Sequence, residues 1–154
     1  MTDLTCLPRS IFSWNYSVID VDNNTKALVN FNFASEQGSI ILDLNDYKIQ
    51  HRWLSGEWLL KIDDEVVATA IKPNPLTRFF EVTYEDKIVI LKAESPFSRT
   101  FLIEQNEILG VIEPTHLFTR RAAVNCSSSI RIPIQIFLFW LTVLMWRRAA
   151  NTNN

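Results

Sequence analysis

The chain has 154 residues, 47% of them hydrophobic, which is enough for one domain with its own core and excludes general disorder. A formal net charge of −2 gives no overall attraction to nucleic acid, so no nucleic-acid partner is expected. Cys6 and Cys126 leave one disulfide open but indicate no disulfide framework, and the N-terminus has no apolar run of signal-peptide length. The expected location is therefore the cytoplasm.

Alternating apolar and polar residues dominate the chain from Ile11 to Val124. Phe80, Val82 and Tyr84, for example, alternate with polar or charged residues. A period of two is typical of antiparallel strands with one buried and one solvent-facing side. The pattern predicts strands at about 11–20, 26–34, 38–44, 47–54, 57–63, 65–71, 78–85, 87–93, 99–104, 107–112 and 117–124. So many strands favour a closed β-barrel or a two-sheet sandwich over an open sheet, which rarely exceeds about ten strands.

Two kinds of connection separate these strands. Asp63-Asp64, Glu85-Asp86 and Gln105-Asn106 are polar pairs between apolar runs, which predicts tight hairpin turns. Segments 72–75, 95–98 and 113–116 contain proline, which removes a ladder donor and therefore predicts strand ends rather than strand middles.

The last apolar segment, Ile132 to Trp146, predicts a helix over about 131–148, followed by a short polar tail at 149–154. Fifteen helical residues span only about 22 Å, whereas a hydrocarbon core is about 30 Å thick. Because the helix is apolar on every side, it belongs either in a protein core or in lipid. A helix about 10–12 Å across fits inside a modest barrel, so the sequence predicts one domain over 1–154 in which about 11–12 short strands surround this helix.

The second half of the chain resembles the tubby C-terminal-like superfamily, which includes the phospholipid scramblases and the LURP-one-related proteins. The resemblance lies in Phe79 to Ala93, in Phe101 to Pro114 with its Leu109-Gly110-Val111 step, and in the terminal apolar helix. It implies a closed antiparallel barrel of about twelve strands threaded by that helix, and it suggests lipid binding. The chain lacks the acidic calcium-binding loop and the cysteine cluster of the scramblases.

No catalytic constellation appears in the sequence, so no enzymatic activity, cofactor or metal is expected. His51 and His116 have no cysteine or carboxylate at metal-ligand spacing, and His51 is expected to be a hydrogen-bonded core residue. Four arginines are the candidate anion- or lipid-binding residues: Arg78, Arg99, Arg120 and Arg121. Neighbouring Arg120 and Arg121 point to opposite faces, so one of them is expected inside the barrel or at its mouth, where it needs a partner.

Two functional hypotheses remain open at this stage. The first is a monomeric, non-enzymatic binding or scaffold module whose partner is an anionic lipid headgroup, a membrane surface or a protein. The alternative is a tail-anchored membrane protein in which a cytoplasmic β-domain precedes a short span at 132–146.

Overall fold

Twelve antiparallel strands form a closed barrel in the computed structural model of the protein, which describes residues 1–152. The strands are β1 (Thr2–Pro8), β2 (Tyr16–Asp20), β3 (Thr25–Asn32), β4 (Gln37–Leu42), β5 (Asn45–Arg52), β6 (Glu57–Ile62), β7 (Glu65–Ile71), β8 (Phe79–Tyr84), β9 (Lys87–Ala93), β10 (Phe101–Gln105), β11 (Glu107–Pro114) and β12 (Ala122–Cys126), and the helix α1 covers Ile132–Thr152. Each strand pairs with its neighbours in the sequence, and β1 pairs with β12 to close the barrel. The predicted mainly-β barrel with a C-terminal apolar helix is confirmed.

The strand that closes the barrel, β1, is absent from the sequence-based prediction, which begins its first strand at residue 11. Leu4 of β1 faces Val124 on one side and Asp20 on the other. Its buried face has only two apolar residues, Leu4 and Cys6, and Leu7 interrupts the alternation directly after Cys6, so the pattern is too short to stand out. Residues 11–15 belong instead to the connection between β1 and β2.

The helix α1 fills the barrel. Its residues 134–146 are all buried, and they lie on every side of the helix axis. The two polar residues among them are hydrogen-bonded: the Gln135 amide donates to the Ile130 carbonyl at 2.8 Å, and the Thr142 hydroxyl donates to the Leu138 carbonyl at 2.9 Å. The helix runs to Thr152, into the segment predicted as a polar tail, of which 153–154 lie outside the described residues.

Close packing fixes the position of the helix against β3 and β4. The Trp140 indole donates to the Asn30 carbonyl at 3.1 Å and stacks on Phe31 with 5.1 Å between ring centroids. A Cβ atom on Gly38 would lie 2.7 Å from the Trp140 indole nitrogen and would clash with the Asn30 carbonyl oxygen. Glycine at this position therefore allows the large ring to approach the barrel wall.

The predicted tight hairpins are present. Asp63 and Asp64 both have positive φ, at 50° and 66°, and so do Glu85 and Asp86, at 49° and 61°. Positive φ at both central residues is the signature of a type I′ turn, whose twist matches that of the flanking strands. Asn106 alone connects β10 to β11, beside a register shift in the pairing of these two strands.

Candidate functional site

The barrel has two ends of opposite charge. One end, called here the acidic end, holds the N-terminus of α1 and the connections 21–24, 43–44, 63–64, 85–86, 106 and 127–131. The other, the basic end, holds the C-terminus of α1 and the connections 9–15, 33–36, 53–56, 72–78, 94–100 and 115–121. The charged residues in the connections of the acidic end are Asp22, Asp43, Asp63, Asp64, Glu85, Asp86 and Arg131. Those in the connections of the basic end are Arg9, Glu36, Lys72, Arg78, Glu94, Arg99, Arg120 and Arg121, to which α1 adds Arg147 and Arg148.

All four arginines predicted from the sequence lie at the basic end. Arg78, Arg99 and Arg120 are half-buried, whereas Arg121 is exposed. Arg120 and Arg121 therefore differ in environment, in agreement with the prediction that one of the two needs a partner at the barrel mouth.

Arg120 ties two connections together. One of its guanidinium nitrogens donates to the Ser10 and Ile11 carbonyls at 2.8 Å, and the other donates to the Ser13 carbonyl. The guanidinium also lies 5.1 Å from the centre of the Trp14 ring. Arg120 is thus largely committed to holding the 9–15 connection in place.

Arg78 and Arg99 line a cleft of about 530 Å³ beside the C-terminus of the helix. The Arg99 guanidinium donates to the Thr119 carbonyl at 2.7 Å and lies 5.2 Å from the Trp146 ring centre. Arg78 donates to the Pro96 carbonyl at 2.9 Å and lies 5.2 Å from the Phe101 ring centre. Burial lowers the pKa of both guanidinium groups, a sign that water solvates these charges incompletely.

Within residues 1–152, neither Arg78 nor Arg99 forms an ion pair with a carboxylate. A carbonyl oxygen and an aromatic face each offer only a partial negative charge. An arginine carries five N–H donors in a fixed fork that matches carboxylate and phosphate oxygens, and Arg99 uses one nitrogen for Thr119. The cleft is therefore suited to an anionic group.

The helix adds two cations that the list of candidate residues omits. Arg148 forms a bidentate pair with Glu36, with nitrogen–oxygen distances of 2.5 and 2.7 Å. The Arg147 guanidinium lies 5.2 Å from the Phe33 ring centre, and its Nη1 atom is buried without a hydrogen-bond partner. Both residues lie near the C-terminus of α1, where the helix dipole favours cations, and Arg148 lines a cleft together with Arg78.

The two histidines and the two cysteines lie in different environments. His51 is half-buried at the basic end rather than in the core: its ring stacks on Trp58 at 4.3 Å, and its Nδ1 lies 3.7 Å from a Glu36 oxygen. His116 is exposed. Both cysteines are free and buried, and burial raises the pKa of the Cys126 thiol to about 11. The described part of the chain contains no group of three histidine, cysteine or acidic side chains that could hold a metal ion.

The basic end also displays exposed apolar side chains at the tips of its connections, a feature that the sequence analysis missed. We call these residues the apolar tips: Ile11, Phe12, Trp53, Leu54, Leu76, Phe97, Leu117 and Phe118. Only Leu76 and Phe97 lie between the predicted strands, whereas the other six apolar tips fall inside the strands predicted at 11–20, 47–54 and 117–124. The sequence signal is therefore weak, and isolated exposed apolar residues are common on protein surfaces.

Comparisons of the chain with protein-family models, with curated proteins and with solved structures gave no match. The resemblance to the tubby C-terminal-like superfamily accordingly stays a prediction.

Proposed function

We propose that the protein is a non-enzymatic binding module that docks its basic end on the anionic phospholipid headgroups of a membrane surface. The observation that carries this proposal is the separation of charge along the barrel, with acidic turns at one end and clustered arginines at the other. A basic residue close to an anionic leaflet contributes about 1 kcal/mol of attraction. The acidic end is repelled by the same surface, so the charge separation also sets the orientation of docking.

The environment of Arg78 and Arg99 supports a headgroup rather than a diffuse counterion. Both side chains are half-buried and fixed by hydrogen bonds to backbone carbonyls, so little side-chain freedom is lost when they bind. Neither has a carboxylate partner within residues 1–152, so a phosphate group would provide the anionic partner that the fold does not supply.

Vesicle co-sedimentation tests the proposal. The full chain is expected to sediment with vesicles of phosphatidylcholine containing phosphatidylserine, and to remain in solution with phosphatidylcholine alone at physiological salt. The paired substitution Arg78→Gln and Arg99→Gln is expected to weaken binding by about tenfold or more, at about 1 kcal/mol for each charge.

The matched control is Arg131→Gln, which removes an arginine from the acidic end, where Arg131 pairs with Glu85 at 2.6 Å. This variant is expected to bind as the unchanged protein does. Equal binding to neutral and anionic vesicles, or an equal loss in the control, would contradict headgroup binding at the basic end.

The alternative of a tail anchor rests on one observation, that α1 is long and apolar enough to cross a membrane by length and composition. Its buried position supports the core role instead, since 72% of its most apolar stretch is buried within the protein. If α1 left the barrel to enter a bilayer, the apolar inner faces of twelve strands would lose their packing partner. A tail anchor predicts that the full chain resists alkaline extraction from membranes, whereas docking at the headgroups predicts release by alkali.

A further inference from the structure

We propose that the apolar tips insert into the interfacial layer of the bilayer, so that the barrel docks end-on with its basic end embedded among the headgroups. This inference rests on the proposed function and adds the depth and the geometry of binding. It starts from the uneven distribution of exposed aromatic residues. Among residues 1–152, every strongly exposed phenylalanine or tryptophan lies at the basic end: Phe12, Trp53, Phe97 and Phe118.

The degree of exposure is unusual for such side chains. Phe12, Phe97 and Phe118 are 91%, 98% and 102% exposed, so each ring projects into solvent with almost no contact to the barrel. Scattered exposed apolar residues need no explanation. Here, however, exposed apolar residues recur in five of the six connections at the basic end, where the cations also lie. This combination indicates an interaction surface.

The backbone of Phe118 adds an independent observation. Its φ is 64°, in the left-handed region, and it is the only aromatic residue with positive φ in the described part of the chain. A bulky residue in this region is a conformational outlier with a cost of order 1 kcal/mol or more. The other positive φ values belong to glycine or to polar turn residues. A polar residue would therefore suit this loop better for folding, and the phenylalanine gains nothing inside the fold from its exposed position.

The apolar tips and the arginines form two successive layers. The tips are at least 75% exposed, whereas Arg99, Arg120 and Arg147 are half-buried and lie against the Trp146, Trp14 and Phe33 rings. A bilayer presents the complementary order, with phosphates outside and acyl chains beneath. Aromatic side chains favour the interface, and arginine can bind headgroups at the same depth.

A bilayer fits this surface better than a protein partner does. A protein interface has a contiguous apolar core surrounded by a polar rim. The tips instead belong to separate connections around the barrel mouth and are interspersed with cations. A fluid interface can accommodate all of them together, and its anionic charge complements that of the basic end.

Trp53 provides a native reporter for the test, because it is 75% exposed, whereas Trp14 is half-buried and Trp58, Trp140 and Trp146 are buried. The full chain is bound to phosphatidylcholine–phosphatidylserine vesicles whose lipids carry bromine on the acyl chains. Insertion predicts that brominated lipid quenches the fluorescence of the unchanged protein, and that the bound Trp53→Phe variant shows little of this quenching.

A second arm separates insertion from simple electrostatic docking. The paired substitution Phe97→Ser and Phe118→Ser is expected to weaken vesicle binding by about tenfold or more, most clearly at high salt, because apolar burial is not screened. The matched control is Val21→Ser with Leu44→Ser, which removes exposed apolar residues from the acidic end, where Leu44 is 101% exposed. This control is expected to bind as the unchanged protein does.

The outcomes distinguish the two proposals. Salt-sensitive binding without quenching of Trp53, with serine variants that match their control, would overturn insertion and leave headgroup docking intact. No binding to anionic vesicles would overturn both. Self-association of the full chain that the Phe97→Ser and Phe118→Ser variant abolishes, without vesicle binding, would identify the tips as a contact between copies and overturn insertion.

Discussion

The acidic and basic ends of the barrel solve the same problem, the reversal of a strand, in different ways. Between paired strands, connections at the acidic end contain one to four residues, three of them only two residues long. Connections at the basic end contain four or seven residues. Tight turns suffice to build the barrel, so the additional length at the basic end serves something other than strand reversal. Long loops on a rigid scaffold are where proteins place binding residues.

The charges of the two ends also follow from different causes. The carboxylates of the acidic end lie in tight turns, where aspartate tolerates positive φ and bonds to nearby backbone groups. They also surround the N-terminus of α1, whose helix dipole favours negative charge. The cations of the basic end exceed what the helix C-terminus requires, since arginines occur in all four of its seven-residue connections as well as in α1. The requirements of folding account for the charges of the acidic end but not for those of the basic end.

The largest expected effect comes from removal of the helix, on which both ends depend. Truncation after Ser129 exposes the inner faces of all strands and deletes fourteen buried residues, Ile130 and residues 134–146. Each large buried side chain contributes about 1.5–3 kcal/mol, and domains have only about 5–15 kcal/mol in total. The truncated chain is expected to show no cooperative unfolding transition by circular dichroism. A cooperative, folded 1–129 fragment would contradict the threaded barrel and favour the tail anchor.

A pair of glycine substitutions tests how tightly the basic end is packed beneath its loops. Gly38→Ala places a methyl group against the Trp140 indole and the Asn30 carbonyl, and is expected to lower the free energy of unfolding by about 1–3 kcal/mol or more. Gly56 has open space around it but a φ of +65°, so Gly56→Ala is expected to cost about 1 kcal/mol from backbone strain alone. Urea titrations of both variants measure the difference, and equal losses would contradict close packing at Gly38.

Much of this fold could be predicted from the sequence, because alternating apolar residues and an all-round apolar helix are local patterns. The alternation of Phe80, Val82 and Tyr84 with polar residues predicts a strand from the local sequence alone. The strand β1 could not be recognised in this way, because its partners β2 and β12 supply most of the reason for it to be a strand.

The candidate site was only partly predictable for a related reason. Arg78, Arg99, Arg120 and Arg121 could be selected as candidate anion-binding residues although they fell inside predicted strands, and the structure places all four in connections at one end. Which connections meet at that end depends on whether an odd or an even number of strands precedes each connection. A missed first strand does not alter the alternation of ends for the others, but it leaves Phe12 inside the strand predicted at 11–20 instead of in the 9–15 connection. The apolar tips can be recognised as one surface only in the folded barrel, where their connections lie at the same end.

The acidic end holds a buried thiol whose titration tests whether the interior there is dry. Burial raises the pKa of Cys126 from 9.0 to about 11, so the unfolded chain loses this proton at lower pH than the folded chain does. The stabilisation is therefore fully present below pH 9 and is lost as the pH rises toward 11. At pH 10 the loss is expected to be about 1 kcal/mol.

Urea titrations of the unchanged protein and of Cys126→Ala between pH 8 and pH 10 measure this contribution. The variant is expected to be less stable at pH 8, because of the lost side chain, but less sensitive to alkali. Burial raises the pKa of Cys6 as well, so some alkaline sensitivity remains in the variant. An identical pH dependence in both proteins would argue against a dry environment at Cys126.

The smallest expected effect in stability is the most informative about the difference between the ends. Phe118→Asn places a residue that tolerates the left-handed region at a φ of 64°, with no loss of buried contacts, since the phenylalanine is fully exposed. The free energy of unfolding is expected to rise by up to about 1 kcal/mol. Binding to anionic vesicles is expected to fall, because an apolar tip is lost.

A higher free energy of unfolding together with weaker vesicle binding is a result that a purely structural loop cannot produce. The matched substitution at the acidic end is Leu44→Asn, which removes an equally exposed apolar side chain next to Asp43. It is expected to leave vesicle binding unchanged. If Phe118→Asn stabilised the fold without weakening binding, the strained phenylalanine would have no role at the membrane. If it destabilised the fold, the 115–121 connection would be shaped by packing, as the turns of the acidic end are.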